Sequence, residues 1–379
     1  MQLQFDTLNE INKYKNPLTV YKNISKLEWK NGDYGKQSWG SHIHKIAPYV
    51  GRIKPSFAHF LIKYVSKKGD TILDPFCGIG TIPTEAALMG RIAIGNDLNP
   101  YAICISNAKK DNKKKLKDLI SYIENIDIKT DEIDLSNIPE WVREYYNQDT
   151  LKEILYTVDF LKREKEDFLL GCLVAISQGH RPGHLSKPCA WTLPYKPRPD
   201  DMGEYRELKP RLIDKVKRTY KFSFEKMSPM TIHFNDARKL LVDDNSVDHI
   251  ITSPPYYNTL DYVTSHRLRL AIFGMHDEDE KKSLKNDLIQ HFNSYIKDIE
   301  IVIKEISRVL KPGGFCIFVV GDHFKGKLII NTAEELTPVF LRNGFTMHGI
   351  VNDKIPPNKS VQKTTKNEKF ERIMVLTKN

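Results

Sequence analysis

Thr71-Ile-Leu-Asp-Pro-Phe-Cys-Gly-Ile-Gly-Thr81, followed by Arg91-Ile-Ala-Ile-Gly95 and Asp97, decides the fold. Thr71–Leu73 is short and apolar, so it reads as a buried strand running into Asp74. Gly78 and Gly80 open a loop, Ile82 to Met89 reads as a helix, and Gly90 stops it. Arg91–Gly95 is a second strand that ends at Asp97. Strand, glycine loop, helix, strand and acid, in that order, form the opening half of a doubly wound α/β sheet.

Working outward, Pro55 opens a helical pattern in which Phe57, Phe60, Leu61 and Tyr64 share an apolar face. Residues 1–44 are polar and aromatic and read as an irregular arm with one short helix. Past Pro100 the strand signals stop. Residues 101–123 read as helical and carry the basic run Lys109–Lys117; residues 140–175 and 207–222 are also helix-periodic. Between them, residues 178–211 are rich in Pro, Gly, His and Arg. Sheet signals resume at Thr231–Phe234 and Val247–Ile251. Next come an amphipathic helix over 291–309, a Pro312-Gly-Gly314 turn into the strand Phe315–Val320, a helix near 332–342, and strands near 345–351 and 371–377. The expected organisation is an arm (1–44), a mostly parallel α/β sheet domain (45–104 and 231–379), and a mostly helical insertion (105–230).

Composition narrows the function classes. Of the 379 residues, 40% are apolar and 28% charged, as in an ordinary globular protein. The net charge of +10 and pI of 9.1 favour a polyanionic partner, although a Lys-rich composition alone gives the same balance. The five cysteines are scattered without a CxxC pair, which suits a reducing cytosol rather than a disulfide framework. The start MQLQFDTLNE lacks a signal-peptide pattern, and no apolar run reaches the roughly 18 residues that span a bilayer. The expectation is a soluble, cytoplasmic protein with no membrane partner.

Three segments carry chemistry. A strand ending in Gly-x-Gly lets backbone N–H groups and a helix start face a ligand, and Asp97, about 20 residues on, is placed for ribose hydroxyls. Only Gly78-Ile-Gly80 of the dinucleotide fingerprint is present, so S-adenosylmethionine suits the loop better than a pyrophosphate-bearing cofactor. Asp236, just past a strand, is either an acceptor for an adenine amino group or an ordinary loop acid. In Thr252-Ser-Pro-Pro-Tyr256, the prolines fix φ, supply no donors and leave rigid carbonyl acceptors, while Tyr256 offers an aromatic face for a flipped base. An amine that is to be methylated needs such acceptors, held in line with the donor. Asn258, Asp261-Tyr262 and His266-Arg267 either line the base pocket or cap and pack a helix. Cys172, His180, His184 and Cys189 lack knuckle spacing, so no metal is expected.

These segments together resemble the amino-group (cytosine-N4 and adenine-N6) DNA methyltransferases. Asp74, Phe76, Gly78, Gly80 and Thr81 are similar to that family's cofactor loop, Asp97 to its ribose-binding acid, and Asp236 to its adenine-contacting acid. Ser253-Pro254-Pro255-Tyr256 resembles its catalytic tetrapeptide, with the Ser typical of cytosine-N4 enzymes. Leu310–Gly314 and the Ile46–Lys63 stretch also fit. The resemblance covers about 45–100 and 231–377 and implies S-adenosylmethionine as cofactor and double-stranded DNA as partner. The family's usual setting adds a separately acting restriction endonuclease. The insertion departs from the pattern; it stands as the candidate target-recognition region, with Arg181, Lys187, Lys196 and Arg198 as DNA contacts. Lys109–Lys117 reads either as a backbone contact or as a solvated helix face. The alternatives are adenine-N6 methylation, guanine-N2 methylation in RNA, and a catalytically silent DNA-binding module.

Overall fold

The structure is a computed structural model. It describes residues 16–36, 38–110, 114–190, 203–220, 227–256, 261–275, 282–284, 287–289, 294–325, 328–355 and 369–379. The first half runs α1 (Pro17–Ile24), α2 (Pro55–Val65), β1 (Thr71–Asp74), α3 (Thr81–Leu88), β2 (Ile92–Asp97) and α4 (Pro100–Asn107). Then come α5 (Leu116–Glu124), α6 (Gln148–Arg163), α7 (Asp167–Ile176) and α8 (Leu208–Tyr220). The second half runs β3 (Met230–Phe234), β4 (Val247–Thr252), α9 (Tyr262–Ile272), α10 (Tyr295–Val309), β5 (Leu310–Gly321), β6 (His323–Lys325), β7 (Leu328–Ile330), α11 (Thr332–Arg342), β8 (Phe345–Ile355) and β9 (Lys369–Lys378).

Seven strands form one sheet in the order β3-β2-β1-β4-β5-β9-β8. The first five are parallel, and β9 is antiparallel to both of its neighbours. The strand order reverses between β1 and β4, and the crevice outside such a switch point is where α/β sheets bind ligands. The sheet is buried on both faces because successive side chains alternate. Leu73, Ile250, Cys316 and Phe318 join α10 and α11 on one face; Ile72, Ile251, Ile317 and Val319 join α1, α2 and α3 on the other. The helix read from the sequence as amphipathic packs as expected, with Ile299, Val302, Ile303, Ile306 and Val309 all buried.

Three local readings are corrected. The arm has its one short helix, α1, but its described part packs on the sheet domain: Val20, Ile24 and Trp29 enter the core, and Trp29 donates to Asp353 Oδ2 at 3.0 Å on β8. The helix expected over 101–123 is two helices, and Lys109, just past α4, is buried rather than part of a basic surface. Pro312-Gly-Gly314 does not precede its strand but interrupts β5, since Leu310 already pairs with Val247 before pairing resumes at Phe315. Helices α5–α8 pack with α4 and α9 in a third cluster, which also takes in Ile46 and Ile79. Among the described residues, no helix is long and apolar enough to cross a membrane.

Candidate active site

A cavity of about 820 Å3, its open mouth included, lies at the carboxyl ends of β1, β2, β3 and β4. Asp74, Phe76, Gly78, Thr81, Asp97, Asp236, Ser253 and Pro255 line it, so residues up to 181 positions apart in the chain share one wall. Gly80, Pro254 and Tyr256 do not line it. Gly80 caps α3 in the left-handed region (φ 71°), and a Cβ there would lie 2.8 Å from Ser106 Oγ.

The loop after β1 is held from within. The amide of Phe76 donates to Asp74 Oδ1 (3.1 Å), Cys77 to the Asn96 carbonyl (2.9 Å), Gly78 to Asp97 Oδ2 (2.8 Å) and Gly80 to the Cys77 carbonyl (2.7 Å). The expectation that these amides face a ligand is therefore corrected: the backbone needs them first. Ser106 Oγ and Lys109 Nζ donate to the carbonyls of Gly78 (2.8 Å) and Ile79 (2.5 Å). Burial brings the Lys109 ammonium down to about 7, with Arg52 adding repulsion.

The acids are committed too, to different degrees. Asp97 also accepts from the Asn99 amide (2.9 Å), which leaves about half of a carboxylate's lone-pair sites for ribose hydroxyls. Its pKa is raised by burial, against the backbone bonds. Asp74 is pushed up to about 7, chiefly by burial; hydrogen bonds from Thr252 Oγ1 (2.6 Å) and the Phe76 amide oppose the shift, and Asp97 adds to it. Asp236 meets a partner that its loop position did not reveal: Arg238 Nε and Nη2 clasp both oxygens (2.7–3.1 Å), while Arg238 also reaches Asp298 and the Asp287 carbonyl. That guanidinium ties Asp236 to the segment carrying Asp287, Leu288 and Ile289, which close one side of the cavity.

A cavity with consumed loop amides and several aspartates repels a pyrophosphate. It suits a nucleoside whose tail is cationic, with Arg52 as a counterpart for a carboxylate. These residues therefore fit S-adenosylmethionine. Arg52 and Tyr49 lie within the stretch singled out around Pro55, but nothing in their residue types marked them as lining residues. Tyr49 stacks on His266 (4.7 Å, 14°), which is fully buried. Of the pocket candidates after the tetrapeptide, Tyr262 lines the cavity, whereas Asp261 caps α9 through the Thr264 amide (2.9 Å) and Arg267 lies over the Trp141 ring. Asn258 lies outside the described residues.

The tetrapeptide is anchored by remote groups. Tyr295 Oη donates to the Pro255 carbonyl (3.0 Å), while no described residue donates to the Pro254 carbonyl. The Tyr256 ring lies against Gly321, where a Cβ would sit 2.7 Å from Tyr256 Cδ2, and its phenol donates to Glu371 Oε1 (3.0 Å). Gly321, Tyr295 and Glu371 carry no sequence signal, because each belongs to an otherwise regular strand or helix and its partner is remote in the chain.

Of the expected DNA contacts, Arg181 is exposed on the loop after α7. Lys187 is half-buried, and its backbone amide donates to the Tyr145 carbonyl (2.8 Å). Lys196 and Arg198 lie outside the described residues. Arg206 Nη1 braces the same loop through the carbonyls of His184 (3.0 Å) and Ser186 (2.8 Å). Among the described residues, no group of three or more His, Cys, Asp or Glu side chains could hold a metal ion.

A mostly parallel sheet with a switch-point cavity, acids at successive strand ends and Ser253 and Pro255 on the cavity wall suits a nucleoside-cofactor transferase. A family model for DNA methylase of the N6/N4 type matches residues 5–108 and 247–379, and the chain belongs to that family. It is 26% identical over 279 residues to the type II methyltransferase M.BsoBI of Geobacillus stearothermophilus, covering 61% of this chain and 53% of that protein. It is 29% identical over 137 residues to the type II methyltransferase M.MjaII of Methanocaldococcus jannaschii, covering 29% and 26% respectively. A 52-residue stretch is 44% identical to the tRNA (guanine(10)-N2)-dimethyltransferase of Methanothermobacter thermautotrophicus, covering 14% and 16%. The matches thus span about half or less of these relatives' lengths.

Proposed function

We propose that this protein transfers a methyl group from S-adenosylmethionine to the exocyclic N4 amine of cytosine in double-stranded DNA. The observation that carries the reading is the shared wall: Ser253 and Pro255 line the same cavity as Gly78, Asp97 and Asp236. When bound, the cofactor supplies an electrophilic methyl group. Asp97 holds ribose hydroxyls, Asp236 and the Leu288–Ile289 segment flank the adenine, and Arg52 faces the carboxylate. Ser253 Oγ and the Pro254 carbonyl accept the two amine hydrogens, which turns the nitrogen lone pair out of conjugation and toward the methyl group. Tyr256 supplies the face for the extruded base.

Residues 45–104 and 231–379 form the catalytic unit in this reading, and 105–230 the target-recognition region, with Arg181, Lys187, Lys196 and Arg198 toward DNA. The type II names of two relatives support a modification role; a separate restriction endonuclease and a cytoplasmic setting belong to the same proposal. Incubation with methyl-labelled cofactor on duplex DNA and on tRNA, followed by nucleoside analysis, tests the reading. N4-methylcytosine is expected. N6-methyladenine or N2-methylguanosine would replace it with one of the sister reactions, and no transfer would leave a binding module.

A further inference from the structure

We propose that Glu371 of β9 is the terminal proton acceptor of the reaction, reached from the target amine through the hydroxyls of Ser253 and Tyr256. The inference rests on the amine-methylation reading above. As the new N–C bond forms, the donor's S–C bond breaks and its electron pair stays on sulfur. The nitrogen is then cationic and must lose one proton. An alcohol such as Ser253 can pass a proton on but cannot keep it. Three of the aspartates that line the cavity are held elsewhere: Asp74 by Thr252 and Phe76, Asp97 by Gly78 and Asn99, and Asp236 by Arg238; the fourth, Asp287, is exposed on the Asp236 side, where its carbonyl takes Arg238.

Glu371 is connected differently. It accepts from the Tyr256 phenol at 3.0 Å, and the Ser253 hydroxyl lies beside that same phenol. The contact is built into the sheet. Glu371 pairs with Gly321 across β5 and β9, and the missing side chain at 321 is the slot that takes the Tyr256 ring. A proton can therefore pass from the amine to Ser253 Oγ, from Ser253 to Tyr256 Oη, and from Tyr256 to Glu371. In the first step an N–H bond breaks as a Ser253 O–H bond forms; in each later step one O–H bond forms as another breaks, and the carboxylic acid finally releases its proton to water.

The surroundings favour an acceptor of intermediate strength. Lys30 and Lys54 attract the carboxylate from the N-terminal segment, but Lys30 is shared with Asp353, the β8 residue paired with Glu371. Arg372, next in sequence, is engaged by Asp322 (2.8 Å). Burial outweighs the Tyr256, Lys30 and Lys54 contributions and raises the Glu371 pKa, which makes it the better base.

Glu371→Gln keeps the shape and the acceptor oxygen, and Tyr256→Phe keeps the ring but cuts the relay. Each is expected to lower kcat about 10²-fold, the scale of general-base catalysis, with cofactor Kd and DNA KM within about twofold of wild type. In the wild type, kcat should fall as pH drops through the raised Glu371 pKa; in Glu371→Gln that acid limb should vanish. A readout independent of turnover is the 13C titration of carboxyl-labelled glutamate in the cofactor-free protein. The Glu371 resonance should titrate above an ordinary glutamate and move higher still in Tyr256→Phe, because a hydrogen bond that favours the carboxylate is gone. Wild-type turnover in Glu371→Gln with an unchanged pH profile would overturn the relay alone. So would a Glu371 titration that ignores Tyr256→Phe. Absence of any methylated amine from the wild type would overturn the function reading, and the relay with it.

Discussion

The cofactor half of the site and its tetrapeptide half are held by opposite means. Around β1 and β2 the partners are mostly local: Asp97 binds the amides of Gly78 and Asn99, and Asp74 that of Phe76, although Asp74 also accepts from the distant Thr252 Oγ1. Around β4 they are distant: Tyr256 reaches Glu371, 115 residues on, and Pro255 reaches Tyr295, 40 residues on. A local motif can be assembled by one strand-loop-helix unit. The tetrapeptide acquires its geometry only when β5, β9 and α10 have packed around it. In the proposed function the first half serves binding and the second chemistry, and mutations should separate the two.

The largest effect should fall on the tetrapeptide. Tyr256→Ala is expected to cut kcat by about 10²–10³-fold, because it removes both the stacking face and the phenol, while cofactor Kd from calorimetry stays within about twofold. A parallel loss of cofactor binding would erase the division between the halves. Next, Asp97→Ala should weaken cofactor binding by about tenfold or more, since roughly 1–3 kcal/mol follows when buried donors lose their acceptor. A cofactor Kd equal to wild type would show that Asp97 only staples the loop. Gly80→Ala should then cost about 1–3 kcal/mol in chemical denaturation, for its left-handed φ and its collision with Ser106. A neutral result would mean that the loop gives way, contrary to its internal bonding. The smallest effect should come from the insertion: Arg181→Ala should weaken DNA binding a few-fold and reduce the salt slope by about 1. An unchanged slope would move the phosphate contact elsewhere.

Much of this was legible in the chain because it depends on near neighbours. Leu73 followed by Asp74 and two glycines specifies a strand, its end and a left-handed turn within a few residues. The spacing of Ile299, Val302, Ile303 and Ile306 specifies one helix face, and all four are buried. Lys109 escapes a reading along the chain because its neighbours in space, not in sequence, decide its burial; its ammonium turns inward to the Ile79 carbonyl. The loop amides were misread for a related reason. Gly-x-Gly tells that backbone approach is possible, but not that Asp97 and Cys77 already take the amides of Gly78 and Gly80.

By itself the sequence determined the doubly wound sheet, the glycine turn after β1 and the stiff Pro-Pro segment after β4, since strand alternation, glycine conformations and proline rigidity act over a handful of residues. Tertiary structure alone decided that Arg238 reaches Asp298, that Gly321 leaves the slot for Tyr256 and that Glu371 meets its phenol. Those contacts join residues whose separation along the chain is closed only by the packing of the whole sheet. A side chain's partner across that distance is set by strand register, which no local pattern encodes.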